Sequence, residues 1–303
     1  MKDNIKVAVL LATYNGAKWI EEQIDSILKQ IGVDVHIYIS DDISTDGTVH
    51  EILKIINVAP LQITLLPRNK RFGTAARNFF RLIKEINFAE YDYAFLSDQD
   101  DVWNDKKLVS AVNEMKSHNA ACYASNLTCI YESGKNRMLK KAYPQTDQDF
   151  LFQTASAGCT YGLRKDAALF VQKVLNARDD HYPTFASHDW LIYAITRSYG
   201  FRWYIDTCSF IYYRQHENNA FGANSGLHSY FKRMRLLRRG WYRQNILYVS
   251  SFCSLNEVQQ KNLLRIKRWK LKDRIFLALN ANHFRRRPIE KISIAFMLLL
   301  GFM

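Results

Sequence analysis

The sequence contains little cysteine, and its cysteines form no recognisable motif. There are five, an odd number, and they are widely scattered: Cys122, Cys129, Cys159, Cys208 and Cys253. No two of them stand in a CxxC pair, so neither a structural zinc site nor a disulfide framework is indicated. This pattern is typical of a protein that folds in a reducing compartment.

The glycine-rich loops that hold phosphates in many nucleotide-binding proteins are also absent. The chain has no GxGxxG after its first apolar run and no GxxxxGK[ST] at any position. This absence disfavours dinucleotide-dependent oxidoreductases and P-loop NTPases. If a nucleotide diphosphate binds, its charge must then be neutralised mainly by a metal ion and basic side chains.

A signal peptide and a long hydrophobic run are lacking as well. The N-terminus carries Asp3 and enters an apolar stretch without the pattern of a signal peptide. The last apolar run, residues 292–303, has twelve residues, whereas a membrane-spanning helix needs about 20. We therefore expect a cytoplasmic protein.

Positive charge is concentrated at one end of the chain. The 303 residues carry a net charge of +13, yet the segment from Leu227 to Met303 alone holds 17 Lys and Arg against 3 Asp and Glu. The other residues are close to neutral, with 25 basic against 26 acidic side chains. This change in composition predicts a neutral domain over 1–225 and a basic, helical region over 226–303.

The first 100 residues alternate between apolar runs and helical patterns. Strands are predicted at 5–13, 33–40, 61–66 and 91–96, and helices at 17–30, 48–56 and 73–86. Thr48 and Glu51 have the spacing of a capping box at the start of the second helix. This alternation with short links predicts a doubly wound, Rossmann-like α/β domain, with a mostly parallel sheet and helices on both faces.

The following residues have a less regular pattern. We expect helices at 105–116, 166–176 and 187–199, paired strands at 120–125 and 127–132, a loop over 135–148, a strand at 156–163, and short strands at 203–206 and 209–213. Small residues in 156–163 indicate a close approach of a ligand or of backbone. Ser187 is a candidate N-cap for the helix that begins there.

Polar residues follow each of the first four predicted strands. The strand ends read Thr13-Tyr14-Asn15, Asp41-Asp42, Arg68-Asn69 and Asp98-Gln99-Asp100. Ligands bind beyond the carboxyl ends of the strands in an open α/β sheet, so we expect these side chains at one rim. Asp98 and Asp100 project to the same side of an extended backbone, and such oxygen ligands suit Mg²⁺ or Mn²⁺. Taken alone, the acidic segment is equally compatible with a polar turn that caps the next helix.

Together these segments resemble the family 2 glycosyltransferases, which have the GT-A fold. The resemblance spans about residues 5–220 and rests on five pieces in order: Ala12–Gly16, Asp41-Asp42 with Ser44–Thr48, Asn69 and Gly73 with Ala76-Arg77-Asn78, Asp98–Asp101, and His188-Asp189-Trp190. The forms SDQDDVW, HDW and YRQHENN are most similar to bacterial rhamnosyltransferases of surface-polysaccharide assembly. The chain departs from the family at Ile43, where a small residue or glycine is common, and we interpret this as a change in packing.

The resemblance implies a pocket for a nucleotide-diphosphate sugar at the ends of the first strands. Its residues would be Thr13, Tyr14 and Asn15 for base and ribose, Asp41 for the uracil or thymine ring, and Arg77 or Asn78 near the nucleotide. A structural role in a turn is the alternative to nucleotide binding for Asn15, Asp42 and Asp46. For Arg77, a position on the surface of a helix is equally compatible with the sequence.

The resemblance also implies a metal-dependent enzyme. Asp98 and Asp100 would contact the ribose and hold Mn²⁺ or Mg²⁺ on the diphosphate, and His216 would complete the site. A surface position is the alternative for His216. Asp101 is expected to serve the turn and the helix cap, outside this site.

By the same resemblance, Asp189 is the general base of an inverting hexosyltransferase. It would take the proton of an acceptor hydroxyl, while His188 and Trp190 bind or orient substrate. With a β-linked dTDP-L-rhamnose donor, a single displacement would give an α-rhamnoside. The residues themselves are also compatible with a structural role for Asp189, because a carboxylate in the first turn of a helix interacts favourably with the helix dipole.

The basic region favours contact with a membrane. Its cations cluster at 232–239, 265–272 and 285–287, with apolar residues at near-helical spacing. Such helices suit an anionic membrane surface, which implies a peripheral location on the inner face of the cell membrane and a polyprenyl-linked saccharide acceptor. A helical bundle for homo-oligomerisation is the alternative. No nucleic-acid motif accompanies the charge, so a nucleic-acid partner is disfavoured.

Three other functions are compatible with parts of the pattern. A transferase that uses a UDP-hexose would need the same motifs. A nucleotidyltransferase of related fold would carry a GxGTRL-like loop where this chain has Thr13–Gly16. A catalytically silent sugar-binding or nucleic-acid-binding subunit would keep the fold, but the intact set Asp41, Asp98, Asp100 and Asp189 argues against it.

Overall fold

Four parallel strands form the first part of the sheet in the computed structural model, which describes residues 4–131, 134–178, 182–215 and 240–303. They are β1 (Lys6–Thr13), β2 (Asp34–Asp41), β3 (Ile63–Leu65) and β4 (Tyr93–Ser97), in the order β3-β2-β1-β4. All residues of β1 after Lys6 are buried. A strand covered on both faces requires a continuous apolar run, so the prediction of a buried central strand is confirmed.

Helices follow these strands, as the alternation predicts. They are α1 (Ile20–Leu28), α2 (Thr48–Val58), α3 (Ala75–Glu85) and, after β4, α4 (Lys107–Ser117). The buried residues Ile20, Ile24 and Ile27 of α1 lie on one side of the helix because of their spacing, and they join the core of the sheet. α3 begins after Thr74, whose hydroxyl accepts a hydrogen bond of 3.2 Å from the N–H of Arg77.

The sheet continues beyond β4 with strands of mixed direction. They are β5 (Val102–Trp103), β6 (Cys122–Tyr131), β7 (Asn136–Leu139), β8 (Gly162–Arg164) and β9 (Trp203–Gln215), arranged β4-β8-β6-β9-β5 with β7 paired to β6. β8 is antiparallel to β4 and β6, whereas β6 and β9 form a long parallel pair. Helix α5 (Lys165–Asn176) packs beside β8 and α3. The predicted α/β class with a mostly parallel sheet is confirmed.

Two pairs of predicted short strands are single long strands, and this prediction was wrong. The expected break in β6 lies at Asn126, which is polar but buried. Its amide donates to the carbonyl of Thr207 at 2.7 Å, and its oxygen accepts from the N–H groups of Lys141 and Ala142 at 2.6 and 2.9 Å. Since every polar group of this side chain has a partner, the strand continues through it with only a shift of register.

The expected strand over 156–163 and the expected loop over 135–148 also need correction. Gly158–Thr160 is a 3-10 turn, and β7 forms inside the expected loop. A Cβ atom at Gly162 would lie 2.4 Å from the ring of Phe95, so glycine is required there by a side chain of β4. The predicted close approach is therefore to a neighbouring strand.

The chain divides into two compact units. The second unit contains Tyr143–Ala155, Phe185–Gly200 and the described residues from 240 onward, and the other described residues form the first. Its helices are α6 (His188–Ser198), α7 (Trp241–Ser250), α8 (Glu257–Arg268), α9 (Leu271–Leu279) and α10 (Pro288–Leu300). In its interior the buried carboxylate of Asp149 accepts a hydrogen bond of 2.8 Å from Tyr193 and lies 3.4 Å from Arg286. The predicted boundary between 1–225 and 226–303 falls outside the described residues and stays a prediction.

No helix within the described ranges has both the length and the apolar composition needed to cross a membrane. The basic cluster predicted at 232–239 lies outside the described residues. The clusters at 265–272 and 285–287 belong to the second unit, where α8 and α9 carry the first and the turn before α10 carries the second.

Candidate functional site

The carboxyl ends of β1, β2 and β3 are joined by one buried carboxylate. Asp41, at the end of β2, accepts hydrogen bonds from the hydroxyl of Thr13 at 2.9 Å and from Nε of Arg68 at 2.7 Å. Ser44 donates to the same carboxylate from its N–H at 2.9 Å and from its hydroxyl at 2.5 Å. The four donors hold Asp41 in place and bring Arg68, which the strand-end pattern singles out, to the rim of the sheet.

Tyr14 and Asn15 follow β1 and play different parts. Tyr14 is exposed, and Arg71 lies 5.0 Å from its ring centre while donating to its hydroxyl at 2.8 Å. Asn15 has a left-handed backbone, with φ of 48°. Its side-chain oxygen accepts from the N–H of Thr45 at 2.9 Å, and its own N–H donates to Ser44 at 2.8 Å. Tyr14 thus presents a ring at the rim, whereas Asn15 has the turn contacts that its alternative role predicts.

Gln99 links the acidic segment to β1, a contact that the sequence pattern does not predict although it places Gln99 at the end of a strand. Its side-chain oxygen accepts from the N–H of Tyr14 at 2.8 Å, and its amide nitrogen donates to the carbonyl of Tyr14 at 2.9 Å. A Cβ atom at Gly16 would lie 2.4 Å from the oxygen of Gln99. The only signal in the sequence is the polar residue between two acids, opposite a glycine that follows the first strand.

Three carboxylates follow β4, and the third is buried. Asp98 and Asp100 are half-buried, whereas Asp101 is 1% exposed, and neither of its oxygens has a hydrogen-bond partner among the described residues. One ligand atom from each of Asp98, Asp101 and Cys159 lies within 4.8 Å of the others. The prediction that Asp101 serves a turn and a helix cap was wrong, because its carboxylate caps no described helix and points into this cluster instead.

A lysine is buried beneath these carboxylates. The ammonium of Lys107 has no hydrogen-bond partner in the described chain, and it lies 3.5 Å from the ring centre of Trp103. Burial lowers the pKa of Lys107 to about 7, against the opposing influence of Cys159 and Asp101. Burial also raises the pKa of Asp101 well above its usual range, and the carboxylates of Asp100 and Asp98 add to this rise.

The position of Lys107 could have been found from helical periodicity. It stands four residues before Ala111, on the stripe of α4 that buries Leu108, Ala111, Val112 and Met115. A charged residue on a buried stripe is uncommon unless it has a function or a charged neighbour. The charged neighbour, Asp101, comes from the acidic segment.

The predicted metal ligands are only partly brought together. The compact cluster includes Asp98 but not Asp100, and His216 lies outside the described residues. The backbone carbonyl of Asp100 accepts a hydrogen bond of 3.1 Å from Nε of Arg214 in β9, and that guanidinium also donates to Glu22 at 2.7 Å. Arg214 therefore holds the acidic segment from β9, the strand that pairs with β5, and the sequence pattern did not indicate this role.

The oxygen atoms at this rim are suitable ligands for a divalent cation. Carboxylate oxygens are the ligands that Mg²⁺ and Mn²⁺ prefer, and the oxygens of Asp101, which have no hydrogen-bond partner among the described residues, lie in one cluster with Asp98. Asp98 and Asp100 are the half-buried members, so they are the ones able to share a cation with a bound molecule.

Arg77 and Asn78, predicted near the nucleotide, both bind the protein itself. Asn78 is buried, and its amide contacts the hydroxyl and carbonyl of Ser40 at 2.5 and 2.7 Å and the carbonyl of Thr13 at 3.3 Å. Arg77 donates from Nε to the carbonyl of Tyr182 at 2.8 Å. These contacts give Asn78 a structural role at the ends of β1 and β2, and direct contact of either residue with a nucleotide stays a prediction.

Asp42 and Asp46 both accept hydrogen bonds from backbone N–H groups, but only Asp46 does so within its own turn, as its turn alternative predicts. Asp42 accepts from the N–H groups of Phe72 and Gly73, the latter at 2.8 Å. Asp46 accepts from the N–H groups of Ala17 at 3.1 Å and Thr48 at 3.0 Å.

The predicted capping box of Thr48 and Glu51 is not formed. The hydroxyl of Thr48 donates to Asp46 and accepts from the N–H of Gly16 at 2.8 Å, and no side chain caps α2 from its N-cap position, Gly47. The hydroxyl is therefore used to join the start of α2 to the turn after β1.

His188, Asp189 and Trp190 open helix α6 in the second unit. Ser187 is at the N-cap position, as predicted, and its hydroxyl donates to Oδ1 of Asp189. The N–H of Trp190 donates to the same oxygen at 2.8 Å. Burial lowers the pKa of His188, while the carboxylate of Asp189 opposes this effect. The two donors on Oδ1 leave Oδ2 of Asp189 without a hydrogen bond from the described residues.

Trp190 belongs to the core of the second unit. It is 5% exposed, its indole N–H donates to the carbonyl of Phe150 at 2.9 Å, and its ring centre is 5.6 Å from that of Tyr242. This position corrects the expectation that Trp190 offers a face to substrate, because both the ring and its polar atom are already used inside the protein.

Comparison with known proteins identifies a matching family and several relatives, one of which covers nearly the whole chain. A family model described as glycosyl transferase family 2 matches residues 8–166, just over half of the chain. The dTDP-rhamnosyl transferase RfbG of Shigella flexneri is 37% identical over 295 residues, which cover 96% of this chain and 99% of that protein. The UDP-Glc:alpha-D-GlcNAc-diphosphoundecaprenol beta-1,3-glucosyltransferase WfgD of Escherichia coli is 27% identical over 129 residues, or 42% of this chain and 48% of WfgD.

Solved structures share the fold at lower identity. TarS 1–349 of S. aureus in complex with UDP-GlcNAc superposes with a TM-score of 0.61 and 16% identity, over 86% of this chain and 71% of that one. The mannosyltransferase PcManGT of Pyrobaculum calidifontis, in complex with GDP-Man and Mn²⁺, gives a TM-score of 0.54 and 16% identity over 97% and 74% of the two chains. With a family match over half of its length and a relative that it matches from end to end, this chain belongs to glycosyl transferase family 2 and is a glycosyltransferase.

Proposed function

We propose that the protein transfers L-rhamnose from dTDP-L-rhamnose to a saccharide acceptor in the synthesis of a cell-surface polysaccharide. The observation that carries the proposal is the rim at which β1, β2, β3 and β4 end, where Asp41, Arg68, Gln99 and the acidic segment are held together by hydrogen bonds. The choice of donor rests on the likeness to a dTDP-rhamnosyl transferase over nearly the full length of both chains.

The nucleotide would lie along the ends of β1 and β2. Thr13, Tyr14 and Asn15 would line the base and ribose pocket, and Asp41 with Arg68 would meet the edge of the thymine ring. The paired arrangement supports a role for Arg68 in particular, because the buried Asp41 holds its guanidinium, on a side chain that is 29% exposed and carries further N–H donors, at the end of the sheet. A UDP-hexose donor is the alternative, favoured by relatives and structural neighbours whose names include UDP sugars.

Asp98 and Asp100 would hold Mn²⁺ or Mg²⁺, and the residues present fit such an ion through their oxygen ligands. When bound, a divalent cation stabilises the negative charge that develops on the leaving diphosphate. Asp101 and Lys107 would lie behind these ligands and would influence the electrostatic potential at Asp98 and Asp100. His216 stays a candidate third ligand.

Asp189 would act as the general base, and the transfer would invert the anomeric configuration. Its Oδ1 is held by Ser187 and by the N–H of Trp190, which supports proton transfer to Oδ2 of a carboxylate kept in one orientation. The acceptor oxygen would attack the anomeric carbon opposite the diphosphate, giving an α-rhamnoside from a β-linked donor. His188 would orient the acceptor or Asp189.

The acceptor would be a polyprenyl-linked saccharide on the inner face of the cell membrane. The excess of basic residues in the second unit supports this location, since cations near an anionic membrane each contribute about 1 kcal/mol of attraction.

The proposal is tested by incubating the purified protein with a saccharide acceptor and either dTDP-L-rhamnose or UDP-glucose. We expect transfer from dTDP-L-rhamnose in the presence of Mn²⁺ or Mg²⁺, loss of transfer in EDTA, and an α-linkage in the product by NMR. Asp100→Asn should reduce kcat about 100-fold or more. Asp25→Asn, an exposed carboxylate of α1, is the matched control and should leave the rate unchanged. Transfer from UDP-glucose alone would refute the donor, and undiminished turnover in EDTA would refute the metal.

A further inference from the structure

Helix α10 of the second unit exposes a continuous stripe of large apolar side chains. Ile289, Ile292, Phe296, Leu299 and Leu300 are all exposed, and Phe296 exposes 62% of its surface. Their spacing of three, four, three and one residues places them on one side of the helix. The stripe is therefore a coherent surface and not a set of isolated residues.

The opposite side of α10 already supplies the packing that the fold needs. Ile294 and Leu298, four residues apart, are buried in the second unit. The apolar residues of the exposed stripe are thus additional to the core. On its exposed side the helix carries only one polar residue between the apolar ones, Ser293, and no charge.

Helix α9 packs against α10 and exposes a second stripe. Leu271, Ile275 and Leu279 are exposed at intervals of four residues, and Leu279 exposes 79% of its surface. We call this stripe together with that of α10 the α9/α10 surface. Exposed rows of large apolar side chains on two packed helices are uncommon on proteins that act alone in water, and they indicate a site of interaction.

The charge of the same region indicates what this surface meets. Residues 240–303 contain 12 Lys and Arg against 3 Asp and Glu, a net charge of +9. Lys270, Lys272 and Arg287 are exposed at the starts of α9 and α10. Lys272 lies seven residues before Leu279 and so on the same side of α9, where its stem can lie along the apolar residues while its ammonium reaches outward.

We propose that the α9/α10 surface inserts into the interface of an anionic lipid bilayer. The apolar stripes enter the boundary between head groups and acyl chains, to a depth of about 5–10 Å, while the flanking cations contact anionic head groups. A partner copy of the chain would be repelled by the same net charge, whereas an anionic membrane is attracted by it. This proposal rests on the proposed function and adds to it the surface through which the protein binds the membrane.

Vesicle sedimentation of the full chain tests the proposal. Wild type should sediment with phosphatidylcholine vesicles that contain phosphatidylglycerol, and less with phosphatidylcholine alone. Ile292→Ser combined with Phe296→Ser should lower the partition coefficient about 100-fold, since each side chain contributes about tenfold or more when buried in an apolar phase. Both residues are exposed, so the variant should keep the unfolding temperature of the wild type.

The matched control combines Val58→Ser with Leu61→Ser, which removes two apolar side chains of the first unit that are more exposed still. It should partition like the wild type. Equal sedimentation of wild type and the α10 variant would overturn the proposal. So would a wild-type dimer that becomes monomeric in the α10 variant and sediments with no vesicles, because the surface would then be a contact between copies.

The outcome is separable from that of the proposed function. Transfer of sugar to a water-soluble acceptor, measured without vesicles, should be the same for wild type and the α10 variant. If transfer from dTDP-L-rhamnose fails while vesicle binding depends on Ile292 and Phe296, the assigned donor is wrong and the docking surface stands.

Discussion

Asp189 is a carboxylate whose two oxygens have different environments. Oδ1 accepts from Ser187 and from the N–H of Trp190, and both bonds survive in Asp189→Asn because the amide keeps an oxygen at that position. The variant loses basicity at the other position only. We expect kcat to fall about 10²–10⁴-fold while the dissociation constant for dTDP is unchanged, as measured by steady-state kinetics and calorimetry.

The size of that effect distinguishes the two roles of Asp189. A carboxylate that only stabilises the start of α6 would be replaced by asparagine with a small change in stability and nearly full activity. Activity of Asp189→Asn within a few-fold of the wild type would therefore place the base elsewhere.

His188 makes the stability of the protein depend on pH. Burial lowers its pKa in the folded state, so the unfolded chain binds a proton at a pH where the folded chain does not. The free energy of unfolding should then fall as the pH decreases below about 6.5, with a slope of at most about 1.4 kcal/mol per pH unit from this group. His188→Asn should flatten the dependence measured by urea unfolding between about pH 7 and pH 5.

His50, exposed on α2, offers the control for this measurement. His50→Asn should keep the slope of the wild type. An unchanged slope in His188→Asn would show that the imidazole is charged equally in the folded and unfolded chain.

The sequence pattern identified which polar residues lie at the rim, but it was less successful in predicting the role of each residue. Thr13, Asp41 and Asp98 stand at strand ends, where short-range periodicity is enough to locate them. The burial of Asp101 against Lys107 depends on α4 folding back beneath the acidic segment. The periodicity of α4 places Lys107 on its buried stripe, but it does not record which segment covers that stripe.

At the scale of elements, the contact between Gln99 and Tyr14 fixes the ends of β4 and β1 relative to each other. Gly16→Ala places a methyl group where the Gln99 amide lies, so the amide must move and lose its two hydrogen bonds. We expect Gly16→Ala and Gln99→Ala each to reduce the free energy of unfolding by about 1–2 kcal/mol. In the double variant the clash is absent, so the total loss should be close to that of one substitution.

Chemical denaturation of the four proteins measures this coupling. Gly47→Ala is the control, since a Cβ atom there would meet that of Ala17 at an ordinary 3.7 Å. Additive losses in the double variant would mean that Gly16 is required for a reason other than Gln99.

The long strands β6 and β9 show why element boundaries were harder to predict than element types. Asn126 in β6 and Ser209 in β9 have the composition of a turn, and locally they compete with strand structure. Their polar groups are satisfied by neighbouring segments: the amide of Asn126 contacts the 141–142 backbone and Thr207, and the hydroxyls of Thr128 and Ser209 lie 2.9 Å apart. Tertiary partners therefore overrode the local preference.

At the scale of the whole molecule, charge separates the two parts of the chain in a way that composition alone reveals. A nearly neutral first part carries the rim, and the basic residues accumulate in the second unit. The segments 143–155 and 185–200 also belong to that unit, although neither is basic enough to be noticed in the sequence. They join it through packing, as the buried contacts of Asp149 and Trp190 show.

The sequence by itself determined the order of strands and helices in the first domain, the polar strand ends and the basic second part, because each of these depends on neighbours within a few residues. Only the tertiary structure decided that Asp101, Lys107 and Cys159 are buried together, that Asn78 and Trp190 turn inward, and that α9 and α10 leave apolar stripes uncovered. Burial is set by what distant segments bring to a residue, and the free energy of a charge, an amide or an apolar side chain depends above all on that environment.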